Sequence, residues 1–127
     1  MIYGVGTDLI EIRRIEQALQ RFGERFARRI LCGPELERFR GHRQPAAYLA
    51  KRFAAKEAFS KALGTGIHAP VNWHGVWVMN HKSGKPQLEF SDDLKRLLAK
   101  KGIRNAHVSL SDEREIACAT VILETGE

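Results

Sequence analysis

The stretch Arg-Phe-Ala-Ala-Lys-Glu-Ala-Phe-Ser-Lys-Ala-Leu-Gly-Thr-Gly, residues 52–66, organises the rest of this chain. It is rich in Ala, Lys, Glu and Leu, which all favour a helix. It ends in Gly64 and Gly66, and glycine adopts the left-handed conformation of a helix C-cap without steric cost. The sequence therefore predicts a long helix that begins at Pro45 or Ala46 and ends at Leu63.

One face of this predicted helix carries an unusual set of side chains. Residues three and four apart share a helix face, which groups Phe53, Glu57, Ser60 and Gly64 in one row with Lys61 beside it. A carboxylate, a hydroxyl and an ammonium next to an aromatic ring favour a bound ion or anionic ligand. The alternative is an ordinary Glu57–Lys61 helix pair, worth about 0.2–0.5 kcal/mol. From spacing alone, that alternative is the commoner arrangement.

The N-terminal residues 2–10 are apolar and partly β-branched, which predicts a strand. Gly4 and Gly6 weaken it and indicate a close backbone approach or a bulge. Asp8 interrupts the apolar run and has two interpretations. It either caps the helix that follows or presents a ligand carboxylate near the end of the strand.

Residues 11–30 change to the period of an amphipathic helix, which Gly23 breaks into two pieces. The predicted apolar stripe consists of Ile15, Leu19, Phe22, Phe26 and Ile30. Arginines recur on another face, namely Arg14, Arg21, Arg25 and Arg28. Such a row is often just a solvated face. The few glutamates nearby cannot neutralise it, however, so we favour a surface for an acidic partner.

The second half of the chain reads mainly as strands. A hairpin turns at residues 81–85, a helix follows the cap residue Ser91, and two more strands complete the chain. In the first of these two strands, His107 shares a face with Ser109 and Ser111. We therefore expect an α+β fold: an N-terminal strand, a helical block with a long central helix, and mostly antiparallel strands.

Composition and charge narrow the functional classes. The 127 residues suit a single domain spanning 1–127. The net charge is +6, and the whole excess lies in residues 1–66, which indicates a local acidic partner. That partner could be nucleic acid, a phosphorylated small molecule or an acidic protein. Because we find no secretory signal and no membrane-spanning apolar run, we expect a cytoplasmic protein.

Few recognised motifs for chemistry are present. There is no Walker motif, and Gly64 and its neighbours follow a helix instead of preceding one, so they do not form a dinucleotide fingerprint. Asp8 and Glu57 remain as a pair of carboxylates, with Lys61 and Arg52 on the same helix as Glu57. Two carboxylates with open positions suit Mg²⁺, which prefers several waters and substrate phosphate as its other ligands. Lys61, one turn beyond Glu57, is placed to meet a phosphate.

Three stretches, at 6–16, 52–67 and 107–112, together resemble the holo-[acyl-carrier-protein] synthases, the small bacterial 4′-phosphopantetheinyl transferases. The first is Gly-Thr-Asp-Leu-Ile-Glu-Ile-Arg-Arg-Ile-Glu. The second is the stretch quoted at the start of this section, extended by Ile67. The third is His-Val-Ser-Leu-Ser-Asp. The resemblance covers essentially the whole chain. It implies transfer of the 4′-phosphopantetheine arm of coenzyme A to a serine of apo-acyl carrier protein, for fatty acid biosynthesis, with release of adenosine 3′,5′-bisphosphate.

The resemblance also implies roles for individual residues. Asp8 and Glu57 match Mg²⁺ ligands, and Lys61 matches a lysine near the reacting pyrophosphate. Arg52 and His107 match groups associated with the coenzyme A phosphates, and Gly64 is expected to contact coenzyme A with them. The docking surface for the acidic carrier protein would consist of Arg14, Arg21 and Arg25. The family is typically a homotrimer with sites between subunits, so His107 would serve a site built mainly by a neighbour.

A small nucleic-acid-binding module is the alternative function, because the first half of the chain is basic. It predicts aromatic side chains displayed for base stacking among the positive charges. The sequence instead assigns Phe22, Phe26 and Phe53 to apolar faces, which favours the transferase. We therefore expect no nucleic-acid partner and no membrane partner.

Overall fold

The computed structural model describes residues 1–126, which form five strands and five helices. The strands are β1 (Ile2–Glu11), β2 (Val76–Asn80), β3 (Pro86–Phe90), β4 (Ile103–Glu113) and β5 (Ile116–Thr125). The helices are α1 (Ile12–Phe22), α2 (Glu24–Ile30), α3 (Gly33–Arg40), α4 (Pro45–Leu63) and α5 (Asp92–Lys100). The predicted α+β order of elements is confirmed.

The strands form two antiparallel sheets. The larger sheet has the order β1-β5-β4, so the first and last strands are neighbours. The β2–β3 hairpin forms the smaller sheet. The Ser91 hydroxyl accepts a hydrogen bond from the backbone N–H of Leu94, as predicted for the cap of α5. None of the helices formed by residues 1–126 is long and apolar enough to span a membrane.

Helix α4 packs along the inner face of the larger sheet. Its small side chains allow this close packing, and Ala54, Ala55 and Ala58 are completely buried. The inner face of β5 is formed by Ala117, Ala119, Val121 and Leu123, which are also completely buried. The side chains of the helix row that begins with Phe53 therefore emerge at the border of this core.

An ion pair that the sequence analysis did not predict lies on the other side of α4. The Lys56 ammonium is completely buried and donates to Glu35 Oε1 at 2.7 Å. It also donates to the carbonyl oxygens of Ile30 at 2.6 Å and Trp73 at 2.8 Å. Glu35 Oε2 accepts the backbone N–H of Val78 at 2.8 Å. This pair thus ties α2, α3 and β2 to the central helix.

Two expectations from the sequence are wrong. Phe22 does not join the apolar stripe, since it is 48% exposed. The predicted apolar stripe requires one helical period that continues from α1 into α2. Gly23 instead takes a positive φ of 63° and turns the chain between the two helices. Asp8 does not cap α1 either, because the N-cap is Glu11, without a side-chain hydrogen bond.

Candidate active site

Strand β1 and helix α4 approach each other so closely that only glycine fits between them. A Cβ atom added to Gly6 would lie 1.9 Å from the carbonyl oxygen of Ala58. One added to Gly4 would lie 2.0 Å from that of Ala62. Asp8 lies two residues beyond Gly6, and alternate residues of a strand share a face. The strand therefore directs the Asp8 carboxylate towards α4.

Asp8 forms an ion pair with Lys61 across this contact. Lys61 Nζ lies 2.9 Å from Asp8 Oδ1 and donates a second hydrogen bond, of 3.0 Å, to the carbonyl oxygen of Thr7. The Asp8 side chain is 15% exposed, whereas that of Lys61 is 52% exposed. Lys61 is thus anchored to the strand at its tip, while its stem is open to solvent.

Glu57, one turn before Lys61, completes the group. Burial raises the pKa of Glu57, and the Asp8 charge raises it further, while Lys61 opposes both effects. The neighbouring Ser60 is buried, and its hydroxyl donates to the Glu57 carbonyl oxygen at 2.7 Å. Ser60 therefore satisfies its hydrogen bond within the helix. Asp8 and Glu57 are neighbouring carboxylates that repel each other.

This pair fits a magnesium ion. Within residues 1–126 there is no cluster of three or more metal-ligating side chains. Asp8 and Glu57 are the two carboxylates that lie near Lys61. Mg²⁺ prefers one or two carboxylates and keeps water and phosphate oxygens as its remaining ligands. Burial raises the pKa of Glu57 and the nearby Asp8 charge raises it further, so the two carboxylates repel each other. A divalent cation would offset this repulsion.

Helix α4 ends at Leu63, and its C-cap residue, Gly64, is exposed and takes the left-handed conformation with φ 89°. Its N–H donates to the carbonyl oxygens of Ser60 and Lys61, so it closes the helix as predicted. No atom lies within 4 Å of a Cβ added there. Gly64 therefore leaves open space beside Lys61.

Arg52 lies elsewhere on the helix. Its guanidinium lies over the ring of Tyr48, 4.1 Å from the centroid, and donates to Asn80 Oδ1 at 3.0 Å. The residue is 6% exposed, burial lowers the pKa of Arg52, and its Nε atom has no hydrogen-bond partner. Asn80 in turn donates to the Gly84 carbonyl oxygen at 2.9 Å. Arg52 thus supports the β2–β3 turn and does not reach the Asp8 cluster.

His107 faces away from Asp8. In the register of the sheet, Asp8 pairs with Ala119, whose side chain is buried against α4. His107 pairs with Ile122, three residues further along the same strand. Because side chains alternate along a strand, an odd separation puts them on opposite faces. Within one chain, the sheet itself therefore separates His107 from the two carboxylates.

The surroundings of His107 are basic. It lines a cavity of about 350 Å³ together with His81, Lys85 and Arg104. Its own Nε2 lies 2.6 Å from Glu124 Oε1. Of these four residues, only His107 was predicted from the sequence to belong to a site. The basic composition of the turn at 81–85 was visible in the sequence, but its position next to β4 was not.

In the arginine face, Arg21 and Arg25 lie on either side of the junction of α1 and α2, whereas Arg14 lies in the first turn of α1. Arg14, Arg21 and Arg25 are all exposed, and the Arg21 guanidinium lies 5.2 Å from the centroid of the Phe22 ring. A surface cavity of about 470 Å³ is lined by Phe22, Arg25, Phe26, Arg28 and Arg29. The exposed Phe22 thus adds an apolar element to a surface that the sequence predicted to be only cationic.

The chain has close relatives of known type. Residues 4–121 match the family described as the 4′-phosphopantetheinyl transferase superfamily. A holo-[acyl-carrier-protein] synthase of Vibrio cholerae serotype O1 is 55% identical over 124 residues, which cover 98% of each chain. The crystal structure of the holo-[acyl-carrier-protein] synthase from Neisseria meningitidis has a TM-score of 0.95 at 42% identity, covering 98% of this chain and 100% of the other.

A further solved relative carries a ligand. The holo-(acyl-carrier-protein) synthase of Bacillus anthracis was solved in complex with CoA (3′,5′-ADP). It has a TM-score of 0.85 at 38% identity, and the match covers 99% of each chain.

The fold and these matches together define a phosphopantetheinyl transferase: the chain belongs to the 4′-phosphopantetheinyl transferase superfamily. Within it, the chain groups with the holo-[acyl-carrier-protein] synthases, to which its relatives belong at 48–55% identity. The family resemblance read from the sequence is confirmed. The alternative of a nucleic-acid-binding module receives no support, although the exposed Phe22 is the kind of feature that it required.

Proposed function

We propose that this chain transfers the 4′-phosphopantetheine moiety of coenzyme A to a serine of apo-acyl carrier protein in a Mg²⁺-dependent reaction. The observation that carries the proposal is the convergence of Asp8, Glu57 and Lys61 where β1 meets α4. Two carboxylates and one ammonium are the groups needed to hold a divalent cation against a pyrophosphate. The relatives named above support the same reaction class.

In the proposed reaction the serine oxygen forms a bond to the pantetheine-side phosphorus, and the bond from that phosphorus to the bridging oxygen breaks. Adenosine 3′,5′-bisphosphate leaves with the bridging oxygen. Such a transfer requires charge neutralisation and alignment more than covalent help from the protein. A magnesium ion bound by Asp8 and Glu57 would stabilise the charge that develops on the pyrophosphate.

The chain's own residues would bind and orient the reactants. Lys61 would neutralise a phosphate oxygen, and the exposed Gly64 leaves room for the substrate beside it. The serine hydroxyl must also lose a proton. The acceptors that this site offers are the carboxylates of Asp8 and Glu57 or a water held by the metal.

We further propose that the active assembly is a homotrimer with sites between subunits. The outer face of the β1-β5-β4 sheet exposes apolar side chains, with Val5 at 56%, Leu9 at 65% and Ile116 at 40%. Burying this face against other copies would remove it from water. A neighbouring chain could then bring the basic cavity around His107 to the Asp8 cluster, which supports a role of His107 in binding coenzyme A phosphates.

The arginine face suits an acidic carrier protein. Charges on exposed arginines steer an oppositely charged partner during its approach. The half-exposed ring of Phe22 offers an apolar contact beside Arg21. We propose that Arg14, Arg21 and Arg25 dock the carrier so that its serine reaches the pyrophosphate.

The experiment is to incubate the protein with coenzyme A, Mg²⁺ and apo-acyl carrier protein and to weigh the carrier by mass spectrometry. We expect a gain of one phosphopantetheine, which excess EDTA prevents. Glu57→Gln should abolish the gain, whereas Glu37→Gln, at an exposed position on α3, should retain it. A full gain in EDTA, or in Glu57→Gln, would contradict the proposed role of the metal site. Sedimentation of the same samples gives the oligomeric state.

A further inference from the structure

The Asp8–Lys61 ion pair joins a proposed metal ligand to a proposed phosphate-binding residue. Lys61 Nζ lies 2.9 Å from Asp8 Oδ1. The contact takes one of the two Asp8 oxygens and places a positive charge beside the carboxylate that would bind a metal. Two of the three N–H groups of the ammonium are bonded to β1, which leaves one for a phosphate. Both roles proposed for these residues are therefore better served when the pair opens.

The surroundings of the pair favour its closed form in the absence of substrate. Lys61 makes a second hydrogen bond, to the Thr7 carbonyl oxygen at 3.0 Å, so its tip is held at two points on β1. The Asp8 carboxylate is mostly shielded, with 15% exposure, which limits the room for a second cation beside the ammonium. A divalent cation approaching Asp8 and Glu57 would also be repelled by the positive charge already present there.

The Lys61 side chain can nevertheless leave. It is 52% exposed, and nothing surrounds the neighbouring Gly64 within 4 Å of an added Cβ. A long flexible lysine can therefore swing towards an anionic group in the open space beyond the helix end. A pyrophosphate placed there offers more negative charge than the single carboxylate of Asp8.

We propose that Lys61 is a placeholder for the metal: it occupies Asp8 in the unloaded protein and moves to the pyrophosphate when coenzyme A binds. Divalent cations consequently bind weakly to the free protein and tightly after coenzyme A. This inference rests on the proposed Mg²⁺ site at Asp8 and Glu57. By linkage, a ligand that draws Lys61 away strengthens cation binding by the same factor as the cation strengthens that ligand's binding.

The test measures cation binding directly, without the transfer reaction. Mn²⁺ serves as the probe, and its free concentration is followed by electron paramagnetic resonance in the absence of coenzyme A. Lys61→Met keeps the length of the side chain and removes its charge. We expect it to bind Mn²⁺ about tenfold more tightly than the wild type, which corresponds to about 1.4 kcal/mol. Lys61→Arg keeps the charge and should bind as weakly as the wild type.

A matched control lies on the same helix. Lys51 Nζ forms an ion pair with Asp112 Oδ1 at 3.0 Å, away from the site. Lys51→Met therefore removes one positive charge and one ion pair while it leaves Asp8 untouched, and we expect Mn²⁺ binding to be unchanged. Adding coenzyme A should shrink the difference between Lys61→Met and the wild type, because in the wild type Lys61 then releases Asp8.

The outcomes separate the placeholder from the metal site itself. Asp8→Asn should abolish Mn²⁺ binding in both the wild-type and the Lys61→Met backgrounds. If it does, but Lys61→Met binds Mn²⁺ no more tightly than the wild type, the placeholder role is overturned while the metal site stands. If Asp8→Asn binds Mn²⁺ as well as the wild type does, the proposed metal site is wrong, and the placeholder role falls with it.

Discussion

Replacing Lys56 by methionine should destabilise the protein more than any other single lysine substitution on α4. The Lys56 ammonium is completely buried and bonded to one carboxylate and two backbone carbonyl oxygens. Burial lowers the pKa of Lys56, and the Glu35 charge opposes that shift. Lys56→Met leaves the Glu35 carboxylate buried without its counter-charge. Breaking a buried pair in this way costs about 3–5 kcal/mol.

That cost is large compared with the total free energy of unfolding, which is about 5–15 kcal/mol for a typical domain. For a chain of this length it corresponds to a fall in Tm of roughly 10–20 °C. Urea denaturation followed by tryptophan fluorescence measures the free energy of unfolding. Protein concentration must be held constant, because association contributes to apparent stability.

Two further variants decide whether the unpaired Glu35 charge causes the loss of stability in Lys56→Met. Lys56→Met combined with Glu35→Gln removes both charges but keeps an acceptor for the Val78 N–H, so it should recover part of the loss. Lys51→Met breaks a partly exposed pair and should cost at most about 1 kcal/mol. If Lys56→Met costs no more than Lys51→Met, or if the double variant is no better than the single one, the reasoning about the buried pair is refuted.

Three further outcomes are expected. Gly6→Ala should destabilise the protein by at least about 1–3 kcal/mol in thermal melts, since its Cβ would clash with the backbone of α4, while Gly41→Ala, which meets no atom within 4 Å, should change little. Arg14→Glu should raise the KM for the carrier protein more than that for coenzyme A, and an equal rise in both would contradict its docking role. Burial raises the pKa of the Cys32 thiol, so its alkylation by iodoacetamide at pH 8 should be slower than that of free cysteine. The rate, measured by peptide mass spectrometry, should rise only when the pH exceeds the usual thiol range. A rate equal to that of free cysteine would contradict this.

Local patterns in the sequence predicted most elements of the fold. The bounds of α4 and the break at Gly23 depend on residues next to each other in the chain, where proline and glycine restrict or free the backbone. For Gly6 the sequence predicted either a close backbone approach or a bulge. The structure shows a close approach, to the backbone of α4. The exposure of Phe22 was not predicted, because periodicity assumes a straight helix and does not include a turn at a positive φ.

The candidate site could be predicted only in part. Resemblance proposed Asp8, Glu57 and Lys61 together, but spacing alone could not bring a strand residue and a helix residue into contact. The face of His107 was predictable relative to its own strand. Its relation to Asp8 depends on the register across β5, which no local pattern reveals. The buried position of Arg52 likewise depends on a contact with Asn80, far away in the sequence.

The glycine contact between β1 and α4 makes the separation of the two carboxylates a property of the main chain. The strand that carries Asp8 touches the helix that carries Glu57 through main-chain atoms, without large side chains between them. A methyl group added at Gly6 would push the strand and the helix apart, and the two carboxylates with them. The spacing of the site is therefore set by the absence of side-chain atoms at a position that takes no part in the chemistry.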